Sequence, residues 1–252
     1  MFKYIYQYYF IMTTKGTKEW ADWNLNLFKG CSNNCKYCYA KFMAKRFERI
    51  KTLEEWSIPI INNKILHQKF RKRKGRGMFP TAHDITPQTY IPYVVVLQRL
   101  LRAGNEVLIT TKANFNLIKM LCGQIIFYSN QVQFRFTITS IYNYKLKDWE
   151  KNAPSYQSRK ASLILAFDKG FKTSVSIEPY LDADPTLLIT EIAPYCTESI
   201  WIGIMNPKFY KYPIHDRQSV RLVVSKIKEL PKEILSKIRL KDSIINMGIS
   251  LD

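Results

Sequence analysis

Three cysteines within eight residues are the most chemically informative feature of this chain. Cys31, Cys35 and Cys38 have the spacing C-x3-C-x2-C, and an aromatic residue, Tyr37, directly precedes the third. Thiolates at this spacing can hold a metal ion or an iron–sulfur cluster, but three of them cannot complete a four-ligand site. The loop therefore predicts a metal or cluster centre with one open position.

A structural zinc site is the alternative interpretation of this loop. It needs a fourth Cys or His at a compatible spacing. The three histidines, His67, His83 and His215, do not have zinc-knuckle spacing from Cys38. A zinc-dependent nucleic-acid-binding protein without catalysis therefore stays as the competing hypothesis, and the cluster is favoured.

The composition predicts a basic, globular protein. The 252 residues include 39 Lys and Arg against 20 Asp and Glu, a formal net charge of +19. This excess favours an anionic partner, nucleic acid before a membrane surface, although an AT-rich genome would also enrich Lys. Hydrophobic residues at 46% exclude a disordered chain. Five cysteines, three of them in one loop, argue against a secreted disulfide framework and for a reducing cytoplasm.

The first eleven residues are apolar and aromatic but too short to cross a bilayer. They lack the small-residue cleavage site of a signal peptide, and Met12 is followed by a polar stretch. We expect translation to begin at Met12, with residues 1–11 as an upstream extension or a loosely packed strand. Residues 12–252 are expected to form the core of a single domain over 1–252, with no membrane partner.

Strand and helix patterns alternate along the chain. Strands are predicted at 23–28, from 78, and at 106–111, 132–139, 173–180 and 199–205. Helices are predicted at about 36–50, 53–70 with an interruption at Pro59, 87–101, 114–125, 154–167, 185–195 and 216–230. About six strand–helix units with right-handed crossovers predict an α/β fold, a partial (β/α)6 TIM-type barrel with a parallel sheet and outer helices.

The loops that follow the strands form the active face of such a barrel. Besides the cysteine loop, these positions include Thr81, His83, Asp84, Lys112, Thr139, Ser140, Glu178, Tyr180, Met205 and Asn206. Cys122 and Cys196 lie near helix ends that lead into the next strand. We expect both on the opposite face, as small buried hydrophobic residues.

The cysteine loop resembles the signature of radical S-adenosylmethionine (SAM) enzymes, with an aromatic before the third cysteine and a helix after it. In that superfamily three thiolates bind a [4Fe-4S] cluster, and the fourth iron binds the amino and carboxylate groups of SAM. The segments GTKEWADWNLNLFKGCSNNCKYCYAK, MFPTAHDITP, LITTKAN, FRFTITS and VSIEPYLD resemble small phage and prokaryotic radical SAM proteins without an assigned substrate. A weaker resemblance links the loop, the Thr-Lys strand end and the barrel to spore photoproduct lyase, a radical SAM DNA-repair enzyme.

The resemblance implies roles for several strand-end residues. Tyr37 is similar to the aromatic that contacts the SAM adenine, and Lys112 to the lysine that contacts the SAM carboxylate. The usual Gly-Gly-Glu motif, which binds the SAM amino group, is replaced here by FPTAHD. The candidate SAM contacts in this segment are therefore backbone carbonyls from Phe79 to Thr81, and Asp84.

Further polar residues are candidate site residues. Thr139 and Ser140 could bond the ribose or the methionyl group. Glu178 lies in an apolar strand, where a carboxylate is costly unless it is paired, so we expect it to meet SAM or an arginine such as Arg135. His83 either titrates near neutrality as a catalytic group or fixes the turn together with Asp84.

The lyase uses a cysteine as hydrogen donor, and neither Cys122 nor Cys196 is expected at the active face. Tyr180 is therefore a candidate catalytic residue in a radical relay, with Tyr142 and Tyr144 as further candidates.

The resemblance implies reductive cleavage of SAM to methionine and a 5′-deoxyadenosyl radical, which abstracts hydrogen from a substrate. Nucleic acid is the leading substrate class, and a peptide or small metabolite is the alternative. An external electron donor of the flavodoxin or ferredoxin type is expected. The basic run at 69–76 could bind phosphates, or it could be a solvated insertion away from the active face.

Overall fold

The computed structural model describes residues 16–206, 208 and 212–251. Seven parallel strands form one curled sheet in which spatial neighbours follow chain order. They are β1 (Trp23–Asn24), β4 (Arg76–Met78), β5 (Glu106–Thr111), β6 (Val132–Thr137), β7 (Lys172–Ile177), β8 (Ile200–Ile202) and β9 (Ile238–Leu240). Two further strands, β2 (Phe28–Lys29) and β3 (Ile60–Ile61), form a small antiparallel pair. The expectations for residues 1–11 and Met12 lie outside the described residues.

Helices connect the strands and cover the outside of the sheet. They are α1 (Tyr39–Arg46), α2 (Asn63–Leu66), α3 (Tyr90–Arg102), α4 (Phe115–Ile125), α5 (Asn143–Trp149), α6 (Tyr156–Asp168), α7 (Thr186–Ile192), α8 (Arg217–Lys228), α9 (Lys232–Leu235) and α10 (Asp242–Ile245). Asn114, Ser155 and Asp216 cap α4, α6 and α8 through side-chain oxygens. No helix in the described part of the chain combines the length and apolar character that a membrane crossing needs.

The predicted partial barrel with a parallel sheet and outer helices is confirmed, and it has one strand more than expected. The six predicted strands are present, and β9 adds a seventh by pairing with β8 through Ile200 and Ile238. The pattern of the last twenty residues allows a strand or a short helix followed by a tail, and the structure has both elements, β9 and α10.

The first strand and the second helix differ from the prediction. The chain leaves the sheet after Asn24, and the side chain of Asn26 then accepts backbone N–H bonds from Thr81 and Ala82 at 2.8 and 2.7 Å. The helix expected over 53–70 is instead a 3₁₀ turn, strand β3 and the four-residue α2. Pro59 and the pairing of β3 with β2 interrupt it.

The central strand β6 is buried on both faces, and its two faces differ in chemistry. Phe134 and Phe136 stack at 5.5 Å between ring centroids and belong to the hydrophobic core. The alternate residues Gln133 and Arg135 instead donate hydrogen bonds to Ser174 of β7, each at 3.1 Å. Because strand side chains alternate with a period of two, the sheet presents an apolar face to the helices and a polar face to the barrel interior.

Candidate active site

A cavity of about 680 Å³ opens at the carboxyl ends of the strands. Its wall brings together many of the predicted site residues, namely Cys31, Cys35, Cys38, Tyr37, Thr81, His83, Asp84, Lys112 and Glu178. Phe79, Thr139, Ser140 and Tyr180 are each at most 1% exposed and lie in the surrounding core. Cys122, within α4, and Cys196, before β8, are also buried in the core.

The cysteine loop is fixed in place by the chain that follows α5. Cys35 and Glu150 form an antiparallel β-bridge. Beside it, the Lys36 N–H donates to the Trp149 carbonyl at 2.8 Å. The side chain of Asn152 donates to a carbonyl of the loop at 2.8 Å. These bonds join the loop to the segment around Glu150, so the position of the loop depends on residues more than a hundred positions later in the chain.

Glu150 is fully buried behind the cavity and accepts hydrogen bonds from three side chains. They are the Tyr37 hydroxyl, the Thr139 hydroxyl at 2.8 Å and the Arg159 guanidinium. The Lys112 ammonium lies 3.7 Å from the same carboxylate. Burial by itself opposes ionisation, but Arg159 and Lys112 lower the pKa of Glu150 to about 2. The buried cluster is therefore ionised.

Lys112 presents its ammonium to the cavity from the end of β5. Burial opposes its charge, but the carboxylate of Glu150 raises its pKa above the ordinary lysine value. The ammonium is 5.6 Å from the centroid of the Tyr37 ring. A fixed cation next to the cysteine loop is the arrangement that binds a carboxylate group of a ligand.

Asp84 ties the cysteine loop to the strand ends. Its carboxylate accepts bonds from the Asn33 side chain at 2.7 Å, the Thr111 hydroxyl at 2.6 Å and the backbone N–H groups of Ile85 and Lys112 at 2.7 and 3.0 Å. Four protein donors leave little of this carboxylate for a ligand. Its geometry is that of a residue that positions Lys112 and the loop.

His83 is bonded to the backbone through both ring nitrogens. Nε2 accepts the Leu27 N–H at 3.1 Å, and Nδ1 faces the Asp84 carbonyl at 3.3 Å, so the proton belongs on Nδ1. Burial lowers its pKa to about 4. His215 has the same character, because its Nδ1 accepts the Met205 N–H and burial lowers its pKa to about 4. The two backbone contacts of His83 favour a role in fixing the turn with Asp84 over a role as a titrating catalytic group.

We expect these two neutral histidines to make the protein less stable in mild acid. Unfolded histidine has a pKa near 6.5 and binds a proton that His83 and His215 do not bind when folded. The free energy of unfolding is therefore highest above pH 6.5 and falls as the pH drops towards 4. Between pH 7 and 5 we expect a loss of about 2 kcal/mol per histidine, measured by urea unfolding. An equal free energy of unfolding at pH 7 and pH 5 would contradict this prediction.

Glu178 reaches the cavity from the end of β7 and is 28% exposed. Its carboxylate lies 3.9 Å from the ammonium of Lys241, which also pairs with Glu19 at 2.8 Å. Burial raises the pKa of Glu178, while Lys241 and Arg135 oppose that rise. The nearest cation is thus Lys241, with the expected Arg135 as a weaker electrostatic partner.

The other predicted contacts are engaged within the protein. Hydrogen bonds link Phe79 to Tyr93, Thr81 to Asn26, Ser140 to Asp182 and Tyr180 to Ile214. The Phe79 carbonyl, for example, accepts the Tyr93 hydroxyl at 2.8 Å. Tyr142 and Tyr144 are 44% and 69% exposed on the surface near α5. The four bonded residues support the site walls, whereas the two exposed tyrosines are not among the residues that line the cavity.

The donor set of the cysteine loop fits a metal cluster chemically. Burial raises the pKa of Cys31 to about 12 and that of Cys35 well above its usual range. Thiolates therefore form here when a metal centre binds and releases their protons. Among residues 16–206, 208 and 212–251, no three His, Cys, Asp or Glu side chains are grouped as ligands of one metal ion.

No family model matches the chain. It is 26% identical over 174 residues to the uncharacterized protein ORF301 of Acidianus two-tailed virus, across 64% of this chain and 57% of that protein. It is 23% identical over 238 residues to the uncharacterized protein MJ0683 of Methanocaldococcus jannaschii, across 89% of both. The chain thus spans little more than half of the viral relative.

Two solved structures are similar to this chain to different degrees. The crystal structure of Streptococcus suis SuiB bound to S-adenosylmethionine matches with a TM-score of 0.55 and 9% identity, across 87% of this chain and 50% of that one. Spore photoproduct lyase complexed with dinucleoside spore photoproduct matches at a TM-score of 0.46 and 16% identity, across 71% and 55%. The second likeness is too loose to carry an argument. By the first, the chain has the half-barrel fold of a protein that has been crystallised with SAM.

Proposed function

We propose that this protein is a radical SAM enzyme. Cys31, Cys35 and Cys38 would hold a [4Fe-4S] cluster, and SAM would bind at its open iron. When bound, the cluster supplies the electron that cleaves SAM reductively to a 5′-deoxyadenosyl radical. One observation carries the proposal: the three-cysteine loop opens into a strand-end cavity beside the partly buried ammonium of Lys112.

The surrounding residues position the ligands of this site. Lys112 is held charged, and its ammonium is available for the SAM carboxylate. Glu150 orients Lys112 and Tyr37 from behind the wall, while Asp84 joins the loop to the end of β5.

The zinc alternative is weaker because two of the three histidines are engaged. The ring nitrogens of His83 contact the backbone of Leu27 and Asp84, and those of His215 contact Met205 and Tyr180. Neither ring can serve as a fourth zinc ligand without breaking these contacts. His67 is exposed at the end of α2.

Nucleic acid is the substrate class that we propose. The formal net charge of +19 favours an anionic substrate. A peptide or small metabolite is the alternative. An electron donor of the flavodoxin or ferredoxin type would supply the electron for SAM cleavage. Residues 12–252 would act as one cytoplasmic domain.

Anaerobic reconstitution with iron and sulfide tests the proposal. We expect broad visible absorbance from the cluster and formation of 5′-deoxyadenosine after dithionite and SAM are added. Protein that binds stoichiometric zinc and forms no deoxyadenosine would refute the enzyme and favour the zinc-protein alternative.

Replacing Lys112 with alanine is expected to weaken SAM binding and to leave the cluster in place. A charge-assisted hydrogen bond contributes about 1.5–3 kcal/mol, so we expect roughly a 10- to 150-fold higher Kd for SAM in equilibrium dialysis. K226A, which removes a surface lysine paired with Asp184, is the matched control and should not change the Kd. Loss of iron together with SAM binding in K112A would contradict the assigned role.

A further inference from the structure

The helix that follows the cysteine loop carries exposed aromatic side chains among cations. Tyr39, at the start of α1, is 54% exposed, and Phe47, directly after its end, is 56% exposed. Lys45, Arg46 and Arg49 are exposed around Phe47. Tyr39 and Phe47 place two exposed aromatic rings on a helix whose last turn is basic, so aromatic rings and cations share one stretch of the surface.

The position of these residues connects them to the cavity. Tyr39 lines the cavity itself. Phe47 lies eight residues further, about 12 Å along the helix axis. The Arg46 and Arg49 guanidinium carbons are 5.9 and 5.6 Å from the Phe47 ring centroid. The surface therefore runs from the cavity edge to a ring that is flanked by two cations.

The charges of this surface are available to a partner. In the described part of the chain, the ion pairs do not include Lys45, Arg46 or Arg49. The Lys45 ammonium donates to the Lys51 carbonyl, which leaves its positive charge uncompensated. Glu48 is the one acidic residue within 39–49 and is also exposed, so an anionic group that approaches this stretch meets three exposed cations against one carboxylate.

We propose that this surface, formed by Tyr39, Lys45, Arg46, Phe47 and Arg49 and here named the α1 track, binds single-stranded nucleic acid and leads it into the cavity. Proteins that bind single strands combine cations for the phosphates with aromatic rings on which bases stack. The α1 track has both, and Tyr39 places one end of it at the cavity. The inference rests on the proposed function, because it names where the nucleic-acid substrate of that site would bind.

Other anionic partners fit the α1 track less well. An acidic electron-transfer protein would be attracted by the cations but would not need two exposed aromatic rings. The basic run at 69–76 leads into the first residue of β4, at the amino ends of the strands, and does not line the cavity. Variants of this run therefore provide a control for the α1 track, because the run is also basic but lies elsewhere in the fold.

Fluorescence anisotropy with a labelled twelve-residue oligothymidylate tests the proposal on the full, reconstituted chain. We expect R46E/R49E to bind at least tenfold more weakly, and the slope of log affinity against log salt to fall by about 1.4 for two lost phosphate contacts. F47A is expected to lose roughly tenfold through stacking, whereas F47W should retain affinity.

The variant R71E/K74E changes the net charge by the same amount on the basic run. We expect it to lose much less affinity than R46E/R49E. Equal losses would overturn the proposal, since charge alone would then explain binding. Unchanged oligonucleotide affinity in R46E/R49E, with slower reduction by a flavodoxin-type donor, would overturn it as well and assign the surface to the donor.

The proposed function is tested separately on the same proteins by SAM cleavage without oligonucleotide. Its absence in the wild type would refute the enzyme but not the anisotropy result. Wild-type cleavage with equal anisotropy for wild type, R46E/R49E and F47A would instead refute the α1 track alone.

Discussion

Replacing Cys35 with alanine is expected to abolish iron–sulfur binding and, with it, all formation of 5′-deoxyadenosine. Cys35 is the central and most buried cysteine of the loop, at 8% exposure. Its backbone is bridged to Glu150, so the variant should keep its fold while losing one of three thiolates. Two thiolates cannot hold a cluster that needs three protein ligands and keeps one open position. Iron and sulfide analysis after anaerobic reconstitution provides the measurement.

The matched control for this variant is C196A. Cys196 is equally small and buried, but it lies before β8, where its thiol contacts the Ile192 carbonyl at 3.4 Å. We expect C196A to bind iron and sulfide as the wild type does. Full cluster content in C35A would refute the assignment of the loop, and cluster loss in both variants would show that the assay reports folding instead.

The cysteine loop can be identified from the sequence because the residues that characterise it are close together in the chain. Three thiols within eight residues limit the chemistry, and the order of strands and helices places Lys112 and Glu178 at the same end of the sheet. The cavity wall contains both residues. Here spacing and topology act together, since parallel strands that all run the same way bring their carboxyl ends to one edge.

Other parts of the site were not predictable because they depend on pairing between distant segments. Glu150 lies 115 residues after Cys35, and its bridge to the loop leaves no local pattern. A signal did exist in Arg159, a charged residue on the apolar side of α6, which required a buried partner. Lys241 was missed for a similar reason, because the strand before it is too short to give a period-two pattern.

Hydrogen bonding changes the interpretation of several predicted ligand contacts. Ser140 and Asp84 were selected as strand-end residues with polar groups, but each is bonded to protein partners. In the sequence, a polar residue that binds a ligand and a polar residue that supports a loop both stand directly after a strand, so position alone does not distinguish them. Burial and partner geometry separate them, since a fully bonded side chain has little capacity left for a ligand.

Replacing Glu150 is expected to cause the second large effect, a loss of folding stability. Replacing it with glutamine keeps the shape and removes the charge, so Arg159, which is fully buried, loses its counter-ion. Breaking one partner of a buried ion pair destabilises by about 3–5 kcal/mol. Urea unfolding at pH 7 measures this change, with E191Q as the matched control. Glu191 pairs with Lys160 at a site about one-third exposed, where we expect a loss below roughly 1 kcal/mol.

A double variant separates charge burial from site geometry. In E150Q/R159Q both buried charges are absent, so part of the stability lost in E150Q is expected to return. SAM affinity should not return with it, because Tyr37 and Lys112 still lack the carboxylate that orients them. Recovery of both stability and SAM affinity would limit Glu150 to neutralising Arg159. Recovery of stability alone would identify Glu150 as the residue that links the cysteine loop to Lys112, the lysine proposed to bind SAM.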